Sequence, residues 1–144
     1  LGTRTVPLRQ SDIIRFSRRR NPFNHSTVMF KKSKVIECGN YSFMRTNQDV
    51  ELWLRMLHNG ANSKNISESL VLFRFDRKTY ERRKDWANIR LMIKLWQDFW
   101  HKGYCSYIDY LIVCSYLMIM KIVPVPMLKW MYMQSRSRGS VNWT

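Results

Sequence analysis

A chain of 144 residues that is 45% hydrophobic and 14% aromatic has enough apolar surface for one modest domain, which excludes disorder by composition. Twenty-five Lys and Arg against ten Asp and Glu give a net charge of +15 and a pI near 10.3. Such an excess attracts polyanions: nucleic acid, anionic lipid headgroups or phosphorylated substrates. Three cysteines without a C-x-x-C pair and three scattered histidines exclude a disulfide framework and a structural zinc site, and fit buried thiols in a reducing cytoplasm.

The chain opens on Leu1 with no signal peptide behind it, so the expectation is a fragment or the back half of a longer chain. Residues 1–22 are basic and irregular and end in R-F-S-R-R-R-N-P; Pro22 pushes Asn21 out of the helical region and sets a boundary. Residues 26–31, S-T-V-M-F-K, are β-branched and apolar and predict a short strand, followed by a helical turn over 32–37. C-G-N-Y-S follows, with Gly39 and Asn40 as turn residues. Thr46 or Asn47 is the expected N-cap of the next element. There Val50, Trp53, Leu54 and Leu57 recur on one helical face, and Gly60 stands where a left-handed terminus belongs. The spacing predicts a helix over 48–58.

Residues 69–75, S-L-V-L-F-R-F, read as a second strand. A charged link, D-R-K-T-Y-E-R-R-K-D, leads to a longer helix over 84–101, with Trp86, Ile89, Ile93, Trp96 and Trp100 at helical spacing and Gly103 as its end. From Tyr110 to Met120 the chain carries eleven uncharged residues closed by Lys121, too few to span a bilayer. Pro124 and Pro126 break any helix there, and M-L-K-W-M-Y-M and S-R-S-R follow. Aromatic and apolar residues mixed with basic charge alone fit an interfacial segment on an anionic membrane; the plain alternative is a core helix with a packed tail.

Three groups of residues carry candidate chemistry. Asp49 is either an acid placed at a helix N-terminus for its dipole or a general base. Asn24 and His25, after a turn, are either hydrogen-bonded structural groups or polar contacts for a ligand. Arg82 and Arg83 are either a solvated charge run or a phosphate clamp. Trp53 is a packing residue by its spacing.

Taken in order, R-N-P-F-N-H-S-T-V-M-F, the Gly-Asn-Tyr turn, Q-D-V-E-L-W-L-R-M, N-I-S-E-S-L-V-L-F-R and E-R-R-K resemble the C-terminal half of a family 2 glycosyltransferase. The closest likeness is to bacterial enzymes that build capsule, O-antigen and other surface polysaccharides. The family's runs usually read N-H-P-T-V-M-F-R, G-G-Y and E-D-Y-x-L-W-x-R. The resemblance covers residues 1–85 and continues more weakly into the basic, apolar tail.

The resemblance implies an α/β fold: residues 1–83 as the C-terminal, acceptor-side part of a GT-A domain, and 84–144 as a helical, basic, membrane-associating region. It implies Asp49 as the catalytic base, acting on an acceptor hydroxyl that displaces the donor's leaving group with inversion. Asn24, His25, Gln48 and Trp53 fall on the acceptor side, and Arg82 and Arg83 on the donor diphosphate. Gln48 replaces the family's usual Glu and Val50 its usual aromatic residue, which removes one negative charge from the acceptor site. The implied partners are a nucleotide-sugar donor, a saccharide or lipid-linked acceptor and an anionic membrane surface, with no nucleic acid. The implied place is the inner face of the cell membrane. The family holds Mg²⁺ or Mn²⁺ through a D-x-D motif in a nucleotide-binding half. No D-x-D occurs in this sequence, so the chain is expected to be inactive alone. The rival readings are a nucleic-acid-binding protein, which the charge fits, and a membrane-peripheral protein carried by residues 107–133.

Overall fold

The computed structural model describes residues 4–71 and 77–134. It holds seven α-helices among the described residues: α1 Gln10–Ser17, α2 Lys32–Glu37, α3 Gln48–His58, α4 Arg77–Lys84, α5 Trp86–His101, α6 Tyr107–Ile122 and α7 Val125–Gln134. There is no strand among them, so the α/β expectation is not met in this part of the chain. Residues 26–31 form the end of a 3-10 turn, His25–Thr27, and then a stretch without a pairing partner. The β-branched signal there is short. Val28 packs beneath α3 while Met29 is 97% exposed, so the stretch has no second face to bury. The second expected strand shows no regular structure over 69–71, and residues 72–75 lie outside the described residues.

The centre of the molecule is α3. Its apolar residues point two ways, and seven of its eleven residues are buried. Val50 and Leu54 join Leu95, Trp96 and Phe99 of α5, Cys105, and Val113 of α6 in the main core. Leu52, Trp53 and Met56 join Val35 of α2 in a second cluster, with Phe23 and Val28 against it. Burial of one such Leu contributes about 1.5–3 kcal/mol, so α3 is held chiefly by packing on two sides. Gly60 ends it with φ 77°, as its place in the sequence requires.

Asp85 caps α5 by accepting the Asn88 N–H, and Gly103 ends it at φ 74°. The face of α5 that is buried runs through Ile89, Leu95, Trp96 and Phe99, while Trp86 is exposed. Trp96 donates its indole N–H to the Arg18 carbonyl at 2.9 Å, which satisfies a buried donor and ties α5 to the end of α1. The charged link before α5 is itself the helix α4, and the basic N-terminal stretch contains α1, with Ile13 and Ser17 buried. Pro124 ends α6, but Pro126 sits in the first turn of α7, where a missing N–H costs nothing. No helix among the described residues is long and apolar enough to cross a membrane.

Candidate functional site

The N-cap of α3 is Asn47, with φ 62°; its side chain reaches Thr46 Oγ1 at 3.3 Å and does not cap the helix. Asp49 is therefore the second helical residue, not the third under a Thr46 cap. It stands in the first turn of α3, at the end of the helix where the backbone N–H groups are unpaired. One oxygen, Oδ2, accepts the Asn21 side-chain N–H at 3.3 Å. Asn21 is fixed on two other sides: its Oδ1 accepts the Phe23 N–H at 3.1 Å, and its carbonyl accepts from Arg4.

One turn along the same face lies Trp53, 3% exposed. Four rings surround its indole: Phe30 at 5.7 Å, Phe23 at 6.0 Å, His25 at 6.1 Å and Tyr41 at 6.4 Å between centroids. His25 also meets Tyr41 edge-on at 6.2 Å. The Trp53 Nε1 and the Ser42 Oγ are buried with no hydrogen-bond partner among the described residues. An unmet buried donor costs about 1–3 kcal/mol, and such groups concentrate where a ligand completes them. The Tyr41 phenol is pushed above its ordinary pKa by burial and then by the Asp49 charge, which places the carboxylate's field at the phenol.

The wall that carries Tyr41 is wired to α3. Glu51 and Arg55 form a fork-to-fork pair, Nε to Oε1 at 2.9 Å and Nη2 to Oε2 at 2.7 Å, both largely buried. The same Arg55 Nη2 donates to the Asn40 carbonyl at 2.7 Å. Glu51 in turn raises the Arg55 pKa, chiefly through that hydrogen bond. Gly39 and Asn40 both have positive φ, and a Cβ at Gly39 would stand 3.3 Å from Arg55 Nη1. The close approach of the arginine and the left-handed backbone together explain the glycine.

The structure thus brings His25, Asp49 and Trp53 into one group. Gln48 stands beside Asp49 as the first, half-buried residue of α3. Asn24 precedes the 3-10 turn, accepting the Thr27 N–H at 2.9 Å through its carbonyl and leaving its side chain exposed. Arg82 and Arg83 lie on α4, which packs against α5 and α7. Arg83 is exposed, and the Arg82 side chain lies outside the described residues.

Sequence reasoning missed Asn21, Tyr41, Glu51 and Arg55. The Glu–Arg spacing of four residues was a visible signal for the last two. The described residues contain no group of three His, Cys, Asp or Glu that could hold a metal ion. The Mg²⁺ or Mn²⁺ expected by resemblance therefore finds no ligand set among them.

No family model matches the chain, and no solved structure matches it. It is similar to several bacterial glycosyltransferases. It is 35% identical over 127 residues to the Escherichia coli UDP-Gal:alpha-D-GlcNAc-diphosphoundecaprenol beta-1,3-galactosyltransferase, covering 88% of this chain and 46% of that protein. It is 35% identical over 92 residues to the amylovoran biosynthesis glycosyltransferase AmsE of Erwinia amylovora, covering 64% of this chain and 35% of that one. An uncharacterized glycosyltransferase of Haemophilus influenzae is 29% identical over 129 residues, 90% of this chain and 48% of its own length. The chain spans less than half the length of these relatives.

Proposed function

We propose that the chain is the acceptor side of a GT-A-type, family 2-like glycosyltransferase that takes a sugar from a nucleotide-diphosphate donor and adds it, with inversion, to a saccharide or lipid-linked acceptor in surface polysaccharide synthesis. The observation that carries the reading is the Asp49 carboxylate near Tyr41 of the Trp53 ring group, held by Asn21 through one oxygen among the described residues. The similarity to named glycosyltransferases over most of the chain supports the same class.

Asp49 takes the proton of the acceptor hydroxyl on the oxygen that Asn21 does not occupy. The acceptor oxygen then forms its bond to the anomeric carbon, and the bond from that carbon to the donor diphosphate breaks, its electron pair leaving with the nucleotide. Tyr41 and His25, exposed and seated on the buried Trp53, form a wall suited to a sugar, with apolar ring faces and polar edges. Asn24 and Gln48 supply further hydrogen bonds to acceptor hydroxyls. Arg82 and Arg83 offset charge on the departing diphosphate. Mg²⁺ or Mn²⁺, where the whole enzyme uses it, is held by residues outside those described, and no step here passes through it. Residues 1–83 act as the catalytic part and 84–144 as the membrane-facing part, placed at the inner face of the cell membrane.

The test is transfer of labelled sugar from nucleotide-diphosphate donors to lipid-linked acceptors, in membranes from cells that express these residues together with a donor-binding half. Asp49→Asn is expected to lower the rate by about 10²–10⁴, the contribution of a positioned base. A rate within threefold of the parent protein would remove Asp49 from the mechanism. The 144-residue chain by itself is expected to turn over no donor, and purified-chain turnover would overturn the assignment of the donor side to other residues.

A further inference from the structure

A groove of about 810 Å³ lies between α1 and α6, apart from the ring group under Asp49. Arg15, Arg18, Arg19 and Arg20 line it from the α1 side, and Ile112 and Tyr116 from α6. Two of the four arginines are engaged with the two acids of the groove: Arg15 with Asp12 at 2.7 Å, and Arg19 with Asp109. Arg18 and Arg20 are exposed and have no carboxylate partner among the described residues. The groove therefore presents two uncompensated guanidinium groups, each a fork suited to phosphate oxygens.

The other half of the groove is apolar and does not end at its rim. Ile108, Ile112, Ile119 and Ile122 form one stripe along α6 and are 65%, 41%, 52% and 78% exposed. A soluble inorganic anion would use the arginines and leave this stripe wet. A pocket of this volume is also larger than one phosphate needs. An amphiphile with two phosphates and a hydrocarbon tail uses both halves.

The groove and the acid are joined through the chain. Arg20 lines the groove and is followed directly by Asn21, whose side chain bonds Asp49, so the groove and the acid are served by adjacent residues of the chain. We infer that this groove holds the diphosphate of a lipid-linked acceptor, with Arg18 and Arg20 on the phosphate oxygens and the hydrocarbon along the α6 stripe. The first sugar then lies toward Asp49. This deepens the proposed function and rests on it for the direction of the sugar.

The test is binding to the 144-residue chain, followed by tryptophan fluorescence, with farnesyl diphosphate, inorganic diphosphate and phosphatidylglycerol vesicles as separate probes. Farnesyl diphosphate is expected to bind more tightly than inorganic diphosphate. Arg18→Gln with Arg20→Gln is expected to weaken farnesyl diphosphate by about tenfold per arginine, the worth of a charge-assisted hydrogen bond. The control pair Lys31→Gln with Lys32→Gln removes the same charge from an exposed site elsewhere and is expected to change binding less than twofold. Ile112→Asn is expected to weaken farnesyl diphosphate and leave inorganic diphosphate unchanged.

Equal loss with both charge pairs, or loss of vesicle binding in step with farnesyl diphosphate, would show general attraction to the net charge and overturn the site. Asp49→Asn is expected to leave farnesyl diphosphate binding intact. Failure of the transfer assay with binding retained would then count against the proposed chemistry and not against the groove.

Discussion

Two aspartates stand in the first turns of two helices, and their surroundings differ. Asp109 of α6 is 5% exposed and fully engaged. It accepts the Ser106 N–H at 3.1 Å and the Ser106 hydroxyl at 2.7 Å in a complete capping box, and its other oxygen meets Arg19. Burial works against its charge, but the bonds from Ser106 and Arg19 outweigh it and hold the pKa below the ordinary carboxylate value. Asp49 of α3 has a helix start with no side-chain cap and, among the described residues, a single 3.3 Å hydrogen bond from Asn21. The same residue type at the same kind of position is structural where both oxygens are engaged and available where one oxygen is left over.

Substitution at these two acids should separate them most clearly. Asp109→Ala removes the box and the partner of Arg19, and is expected to cost about 2–3 kcal/mol in urea unfolding. Asp49→Asn should change stability by about 0.5 kcal/mol or less, the usual range for a site that breaks no buried network. Equal costs at both positions would erase the distinction. A smaller effect is expected at the wall beside Asp49. Gly39→Ala meets both a left-handed backbone and the Arg55 guanidinium, for a cost of about 1–2 kcal/mol. Transfer should fall with it if Tyr41 needs its place, and an unchanged rate would remove the turn from the site.

The smallest effect is a pH dependence. His58 stacks on Tyr104 at 4.2 Å, and its pKa is lowered first by desolvation of the ring, against a raising bond from the Tyr104 backbone, and further by the Arg18 charge. The unfolded chain then takes up the proton first, so stability is full above about pH 6.5 and falls as the pH drops through the folded value. The contribution of Asp109 is lost only at more acid pH, below 3.8. Urea midpoints taken from pH 7.5 to 5 should decline in the parent protein and stay flat in His58→Gln. A flat parent profile would show that the ring is as well solvated folded as unfolded.

The helix α3 was legible to the residue, because its apolar spacing, its first-turn acids and Gly60 all agree. The helix α5 was legible except for its start, which Asp85 moves to Trp86. Of the apolar face expected for α5, Ile89 and Trp96 are buried and Trp86 is not, while Leu95 and Phe99 went unread, since a run rich in Trp hides which rings turn inward. The helix α4 was read as a link because it has no apolar period, and α1 was lost in its basic charge. Two cysteines expected to be buried, Cys38 and Cys114, are only half so; Cys105 alone is buried, with its thiol pushed up to about 11 by burial.

At the site, Asp49, Trp53 and His25 stood out by motif. Asn21 and Tyr41 did not, because chain separations of 28 and 8 residues from Asp49 are closed by tertiary contacts that no local period encodes.

The arginine that grips the Asn40 carbonyl has one more effect, on how the molecule opens. Amides of Gly39 and Asn40 already bond back to Ile36 and Val35 at 2.9 Å, while Arg55 binds the same turn to the middle of α3. The turn is thus tied to α2 through its amides and to α3 through its carbonyl, so its release requires contacts to both helices to be given up. Base and wall are therefore anchored on one helix, Asp49 at its start and the Asn40 carbonyl on Arg55 further along it.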